Sequence, residues 1–232
     1  MIRNENTNVY GWEVAIRGMR NPMNSWEKSE GITLAWDFDK NMCIPKIGEN
    51  DLKLMKNLSK AGSDHGKFLR MITVTVDITA PLYWWKEFDT YKVGTVANSC
   101  STMHKIHAKE FTLDDFSHEH LYNIEECPIH IQFDRSKGIL NSCPAGCLDI
   151  VIGVLNGMRE KFLETKEKAY WWQMIQLLPS SYNQRRTVQL NYQVLKSMYF
   201  ARKNHKLDEW HDFCLWAEGL PYFKEIVIAG DD

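Results

Sequence analysis

The sequence predicts an α+β fold, with a modest central sheet in the first half and a helical second half. Residues 72–79, ITVTVDIT, alternate apolar with polar side chains, as a strand with one buried face does. From Leu148 to Phe162 the apolar residues recur at steps of three and four, which is the spacing of an amphipathic helix. These two patterns place strands first and helices later, and this order favours the α+β class.

Length and charge limit the organisation and the partners. The chain has 232 residues, 44% of them hydrophobic, which predicts one domain spanning 1–232. Its 28 Lys and Arg against 30 Asp and Glu give a net charge of −2, so no global field favours DNA, RNA or an anionic membrane as a partner. Any anion-binding site must therefore be local.

The N-terminus and the cysteines indicate a cytoplasmic protein. The first residues are polar and no apolar run is long enough to span a bilayer, so neither secretion nor membrane insertion is expected. Six scattered cysteines are expected to be reduced. Neither the Cys143/Cys147 pair nor the histidines meets a zinc-site spacing, so no metal is assigned.

The elements of the first half follow from local patterns. In order, we expect mixed strand character over 8–19, a short strand over 31–38, a helix over 50–60 and the strand over 72–79. Pro81 ends that strand, and because proline is favoured at the start of helices, a helix is expected over 82–92. Residues 93–107 are small and polar and are expected to form a loop that approaches a ligand.

The second half is predicted to hold helices over 112–126, 148–168, 170–178, 182–202 and 207–218. The first rests on Thr112 and Asp115, which lie at capping-box spacing. Arg185 and Arg186 lie near the start of the fourth, where unpaired N–H groups and partial positive charge would help two guanidinium groups hold a phosphate. Two solvated surface arginines are the alternative.

The 182–202 helix also carries a stripe of special composition. Asn191, Leu195, Met198 and Arg202 step by four, three and four, so all four would lie on one helical face. Asn191 and Arg202 would then be about three turns, or roughly 16 Å, apart, and a ligand of dinucleotide size could lie between them. Polar helix ends that meet partner helices would give the same pattern.

Two blocks of the sequence resemble the flavin-dependent thymidylate synthase (ThyX) family. Residues 80–102, APLYWWKEFDTYKVGTVANSCST, follow the alternating strand as the Ala-Pro and helix of the family do before its ligand loop. Residues 178–202, LPSSYNQRRTVQLNYQVLKSMYFAR, are similar to its Leu-Pro block and the following helix. The two blocks keep the order and separation found in the family.

The resemblance implies a homotetramer that binds FAD across subunit junctions and methylates dUMP to dTMP, with methylenetetrahydrofolate and NADPH as co-substrates. In that chemistry the flavin carries the hydride and no protein nucleophile attacks the pyrimidine, so no catalytic residue is assigned. The cofactor positions of the family fall on Thr90, Tyr91, Lys92, Asn191 and Arg202, and its nucleotide positions fall on Glu87, Cys100, Thr102 and Arg185.

The chain departs from the family where charge matters most. Thr90, Tyr91 and Lys92 stand in place of Arg-His-Arg, so two guanidinium forks become a hydroxyl and a single ammonium. Glu87 replaces a glutamine and would repel a phosphate. The alternative to an enzyme is therefore a nucleotide-binding protein that keeps the scaffold and sequesters or senses a nucleotide without catalysis. An interaction scaffold that binds neither ligand is a third possibility.

Overall fold

The computed structural model describes residues 2–38, 42–128, 131–135, 138–142 and 143–229, the segments 131–135 and 138–142 by their backbone. The chain divides into two compact units, of which the larger contains Ile2–Thr79, Lys86–Asn98 and the described part of Arg185–Asp232, and the smaller contains Ala80–Trp85 and Ser99–Gln184. The expectation of one domain over 1–232 stays a prediction.

Strands and helices alternate in the first half, and helices dominate the second. The strands are β1 (Arg3–Tyr10), β2 (Ile32–Asp37), β3 (Met42–Ile47), β4 (Thr73–Pro81), β5 (Val96–Ser99), β6 (Ile131–Arg135), β7 (Gly138–Ser142) and β8 (Asn183–Asn191). The helices are α1 (Trp12–Arg20), α2 (Glu49–Lys60), α3 (Leu82–Phe88), α4 (Thr102–Lys105), α5 (Pro144–Thr165), α6 (Lys168–Leu177), α7 (Tyr192–Arg202) and α8 (Asp208–Glu218). The predicted α+β class is confirmed.

The larger unit is built on a four-stranded sheet in the order β1-β4-β8-β5. Strand β4 has the predicted alternation, because Val74, Val76 and Ile78 are buried on one face while the residues between them are partly exposed. Strand β1 pairs with it antiparallel, with a register shift between Glu5 and Asn8. A second antiparallel pair, β2 and β3, belongs to the same unit.

The predicted helix over 182–202 is wrong in its first half, which is strand β8. Gln184, Val188 and Leu190 are buried while Arg185, Thr187 and Gln189 are exposed, so the period is two and not 3.6. Helix α7 begins at Tyr192, and Asn191 is its N-cap: the Asn191 Oδ1 accepts a hydrogen bond from the Val194 N–H at 3.0 Å. The Asn191-to-Arg202 stripe is therefore a cap followed by a helix.

Four other expectations also need correction. Most of the 8–19 segment is helix α1, because Trp12, Ala15, Ile16 and Met19 are buried at helical spacing. Gly11 begins this helix with φ of 88°, and a Cβ on it would lie 2.0 Å from the Met71 carbonyl oxygen.

Two predicted helices are shorter in the structure than expected. The 82–92 helix ends at Phe88. In 112–126 the predicted capping box of Thr112 and Asp115 is present, but the helix that follows it is only the 3-10 turn Leu113–Asp115. The predicted loop over 93–107 contains β5 and α4.

The smaller unit is organised around the helical hairpin of α5 and α6. These helices correspond to those predicted over 148–168 and 170–178. Its core consists of Ile106, Phe111, Phe116, Leu148, Leu155 and Met174. Strands β6 and β7 form an antiparallel pair in the same unit. Across the described part of the chain, no helix combines the length and the apolar character needed to cross a bilayer.

Candidate functional site

A cavity of about 580 Å³ in the larger unit gathers four of the predicted cofactor-binding residues. One wall is the segment 90–94 after α3, which includes Thr90, Tyr91 and Lys92. The opposite wall is the start of α7, with Asn191, Gln193, Val194 and Ser197, and Arg70 completes the lining. Two stretches that are 100 residues apart in sequence therefore meet at one site.

The segment after α3 is folded tightly onto α7. Thr90 donates its hydroxyl hydrogen to the Glu87 carbonyl at 2.7 Å, and the Tyr91 N–H donates to the Phe88 carbonyl at 3.0 Å. Gly94 has φ of 81°, and a Cβ there would lie 3.0 Å from the Val194 Cγ2 and 3.2 Å from the Asn191 Nδ2. The backbone conformation thus favours glycine here, and any larger residue would also press on the Val194 and Asn191 side chains.

The electrostatics of the cavity suit an anionic ligand. The first turn of α7 carries the positive end of the helix dipole, while its Tyr192 and Val194 N–H groups already donate to the Ile72 carbonyl and the Asn191 Oδ1. Arg70 and Lys92 add two cations, and none of the described lining residues is acidic. Gln193 supplies an amide donor beside them, whereas the Thr90 and Ser197 hydroxyls already donate to the Glu87 and Gln193 carbonyls and can offer a ligand only their oxygens as acceptors.

Arg202 and Glu87 lie in a polar cluster next to this cavity. The Arg202 Nη1 donates to the Glu87 Oε2 at 2.8 Å, and its Nε donates to the Tyr91 hydroxyl at 3.0 Å. The Trp210 indole N–H donates to the same Glu87 oxygen at 3.0 Å, and His205 Nε2 lies 3.2 Å from it. Tyr91 belongs to both the cluster and the cavity.

Comparison with known proteins identifies the fold. No protein-family model matches the sequence, and no curated protein matches it. Two crystal structures of flavin-dependent thymidylate synthase ThyX from Helicobacter pylori, both complexed with FAD and dUMP, match with a TM-score of 0.62 and 14% identity. The matches cover 100% and 99% of this chain, and 99% and 97% of theirs. The chain has the ThyX fold.

Arg185 does not lie at a helix start, as the sequence predicted, but on the sheet of the ThyX-like fold. It is part of β8, where its Nη2 lies 2.8 Å from the Asp77 Oδ2 and its Nη1 lies 3.4 Å from the Glu5 Oε2. Hydrogen bonds from Thr187, Asn6 and Arg185 lower the pKa of Asp77 to about 2. Arg186 is likewise on β8, 2.7 Å from the Asp89 carboxylate.

The two remaining predicted nucleotide-binding residues lie in the smaller unit. Cys100 has an exposed side chain, and its carbonyl accepts a hydrogen bond from the Gln184 Nε2 at 3.0 Å. Thr102 is the first residue of α4, which Ser101 caps by accepting from the His104 N–H. Within the described residues, no group of three or more His, Cys, Asp or Glu side chains is arranged to hold a metal ion.

Sequence reasoning missed several residues of the site. Gln193 and Ser197 line the cavity four residues apart on α7, a spacing that was visible once the helix start was known. Arg70 comes from a 3-10 turn, Gly66–Arg70, with no local signal for a site. His205 completes the group around Glu87 and was also not predicted.

Proposed function

We propose that this protein binds FAD and a pyrimidine nucleotide and is a thymidylate synthase-like enzyme, transferring a one-carbon unit reductively to dUMP or a related nucleotide. The observation that supports this most is the cavity in which Thr90, Tyr91, Lys92 and Asn191 meet on a ThyX-like fold. When bound, FAD would supply the hydride chemistry, while the protein supplies binding and orientation.

The residues of the cavity fit the polar part of FAD. The diphosphate carries two negative charges, which Lys92, Arg70 and the start of α7 can balance. The Oδ1 of Asn191 is engaged as the helix cap, so the amide N–H groups of this side chain are the donors it can offer. Tyr91 adds an aromatic ring to the wall.

The nucleotide part of the proposal concerns Arg185, Glu87, Cys100 and Thr102. Arg185 keeps 44% of its side chain exposed despite its two carboxylate neighbours, so a phosphate can reach it. We include NADPH and methylenetetrahydrofolate as co-substrates, a homotetrameric assembly and a cytoplasmic location. Nucleic acids and membranes are not among the proposed partners, since the net charge is only −2.

A second candidate function is a nucleotide-binding protein without catalysis on the same scaffold. The observation that favours it is the pairing of the arginines that the resemblance assigned to the ligands. Arg202 is bonded to Glu87, Arg185 is paired with Asp77, and a single ammonium, Lys92, stands where the family has two arginines. Such a protein would bind a nucleotide but would not turn it over.

Aerobic NADPH oxidation by the FAD-loaded protein, measured with and without dUMP, tests the proposal. The enzyme reading predicts NADPH consumption that responds to dUMP, and dTMP formation when methylenetetrahydrofolate is added. A flat trace in both conditions contradicts it. A protein that takes up no flavin and shows a flat trace, but gains thermal stability with dUMP, supports the non-catalytic binder.

A further inference from the structure

The guanidinium group of Arg202 contacts three side chains of the larger unit, those of Glu87, Tyr91 and Trp210. Its Nη1 donates to the Glu87 carboxylate at 2.8 Å and its Nε donates to the Tyr91 hydroxyl at 3.0 Å. Its carbon atom lies 4.9 Å from the centre of the Trp210 ring and 5.6 Å from that of Tyr91. Only 19% of the side chain is exposed.

The Glu87 carboxylate holds the Arg202 guanidinium in place. Its Oε2 accepts from Arg202 and from the Trp210 indole, and His205 lies 3.2 Å from the same atom. Hydrogen bonds between ionised groups are among the stronger ones in proteins. A ligand phosphate that took Arg202 away from Glu87 would leave this carboxylate without its cation, which is unfavourable in a partly buried position.

Tyr91 is the link to the cavity. It lines the cavity, whereas Arg202 and Glu87 are not among the described lining residues. Its ring makes an edge contact with Trp210 at 6.3 Å between centroids, and its carbonyl accepts a hydrogen bond from the Thr95 hydroxyl. Tyr91 is thus held at its hydroxyl, its ring and its backbone.

We propose that Arg202 is a positioning residue: Glu87 anchors the guanidinium, and the guanidinium fixes Tyr91 as a wall of the cavity, so that Arg202 acts on a bound ligand through Tyr91. The identity of the ligand in the cavity rests on the proposed function, whereas the positioning of Tyr91 by Arg202 does not depend on it. Lysine cannot replace Arg202 in this role, because a single ammonium lacks the planar fork that reaches both partners.

Hydrogen exchange of the ligand-free protein, followed by mass spectrometry, tests the positioning itself. In Arg202→Gln and in Tyr91→Phe, amides of the 90–94 segment should exchange about tenfold faster, and in the double variant no faster than in the more affected single variant. Amides of the buried turn around Leu195 should keep their rates. An exposed arginine of α1 gives the matched control, Arg17→Gln, which should change neither region.

Affinity for FAD tests whether Arg202 touches the ligand. The proposal predicts that Tyr91→Phe weakens binding about three- to tenfold in the wild-type background and has no effect in the Arg202→Gln background. Tyr91→Phe keeps the aromatic ring, so this variant remains informative if Arg202→Gln folds poorly. Independent effects that multiply in the double variant, or unchanged exchange in the 90–94 segment, would overturn the inference. If the wild type binds no FAD, the proposed function fails, and the exchange experiment still decides the role of Arg202.

Discussion

Arg20 and Asp51 form a buried ion pair that ties the end of α1 to α2. The Arg20 Nη2 lies 2.6 Å from the Asp51 Oδ1, and the side chains are 5% and 0% exposed. The other Asp51 oxygen accepts from the Ser29 hydroxyl at 3.0 Å and from the Glu30 N–H at 2.9 Å. Both oxygens of the buried Asp51 carboxylate therefore accept hydrogen bonds.

Breaking this pair should be costly, because the remaining guanidinium would be buried without a counter-charge. We expect Asp51→Ala to lower the free energy of unfolding by about 3–5 kcal/mol, measured by urea denaturation. The exposed Lys161–Glu164 pair of α5 provides a control, since Glu164→Ala should leave the urea midpoint unchanged. Equal midpoints for Asp51→Ala and the wild type would show that the pair is unimportant.

Asp77 makes the stability dependent on pH in the acidic range. Its pKa is lowered from 3.8 to about 2 by hydrogen bonds from Thr187, Asn6 and Arg185. A carboxyl whose folded-state pKa is lowered stabilises the fold above its unfolded pKa, and the contribution is lost as the pH falls through the folded value. Because Arg185 is partly exposed, we expect a contribution on the order of only 1 to 2 kcal/mol.

The test compares chemical unfolding of the wild type and Asp77→Asn from neutral pH down to about pH 2. The wild type should be the more stable protein at neutral pH, and the difference should shrink below about pH 4. A difference that stays constant over the whole range would mean that the Asp77 charge does not contribute.

At the scale of elements, the β8–α7 junction shows what the sequence could and could not predict. The stretch 182–202 contains a period-two segment followed by a period-3.6 segment, and reading the whole as a helix placed Arg185 at a helix start. The alternation of Gln184, Val188 and Leu190 was available as a strand signal. The helical spacing of Leu195 and Met198 was predicted correctly, and both are buried.

Local caps were less informative than periodicity. Thr112 and Asp115 form the predicted capping box, yet no amphipathic repeat follows it, so the chain continues into other structure after one turn. The strand β4 and the helix α5 were predicted because each has a regular repeat of apolar residues in the sequence. Segments whose structure depends on distant partners, such as the 93–107 region, could not be derived from local patterns.

The candidate site was predicted in part. Thr90, Tyr91, Lys92 and Asn191 line one cavity, and their binding of FAD stays a prediction. Glu87 and Arg202 were expected at a ligand, and the structure bonds them to each other. That pairing depends on the relative placement of α3 and α7, which no spacing within either element specifies.

Asn191 has two separable roles at the start of α7. Asn191→Ala removes the cap and should destabilise the protein by about 1 kcal/mol, seen as a lower melting temperature. Asn191→Asp keeps an oxygen acceptor for the Val194 N–H and adds a negative charge to the cavity. It should therefore retain the melting temperature and bind FAD more weakly. If Asn191→Asp binds FAD as the wild type does, Asn191 is a structural cap only.

At the scale of the whole molecule, the ThyX-like fold is kept at 14% identity over the full chain. Arg70 and Lys92 are the cations among the described residues that line the cavity. Because the net charge is −2, recognition of an anionic ligand depends on this local group. These two cations support the proposal that the cavity binds an anion, and they say nothing about turnover.

The proposed homotetramer makes a separate prediction. Ile150 and Val154 of α5 are 47% and 41% exposed in the single chain, and Leu34 of β2 is 62% exposed, as expected for surfaces covered by other subunits. Native mass spectrometry should find the mass of four chains. A protein that stays monomeric at micromolar concentration would refute the assembly.

The central claim, that the cavity beside α7 binds FAD through its cations, is tested most directly by calorimetric titration of FAD into the wild type and Lys92→Glu. Lys53→Glu, a charge reversal at an exposed lysine of α2, is the matched control. We expect saturable binding by the wild type and Lys53→Glu, and binding weaker by about tenfold or more in Lys92→Glu, as for a lost charge-assisted contact. No binding by the wild type, or equal affinity in all three proteins, would contradict the claim.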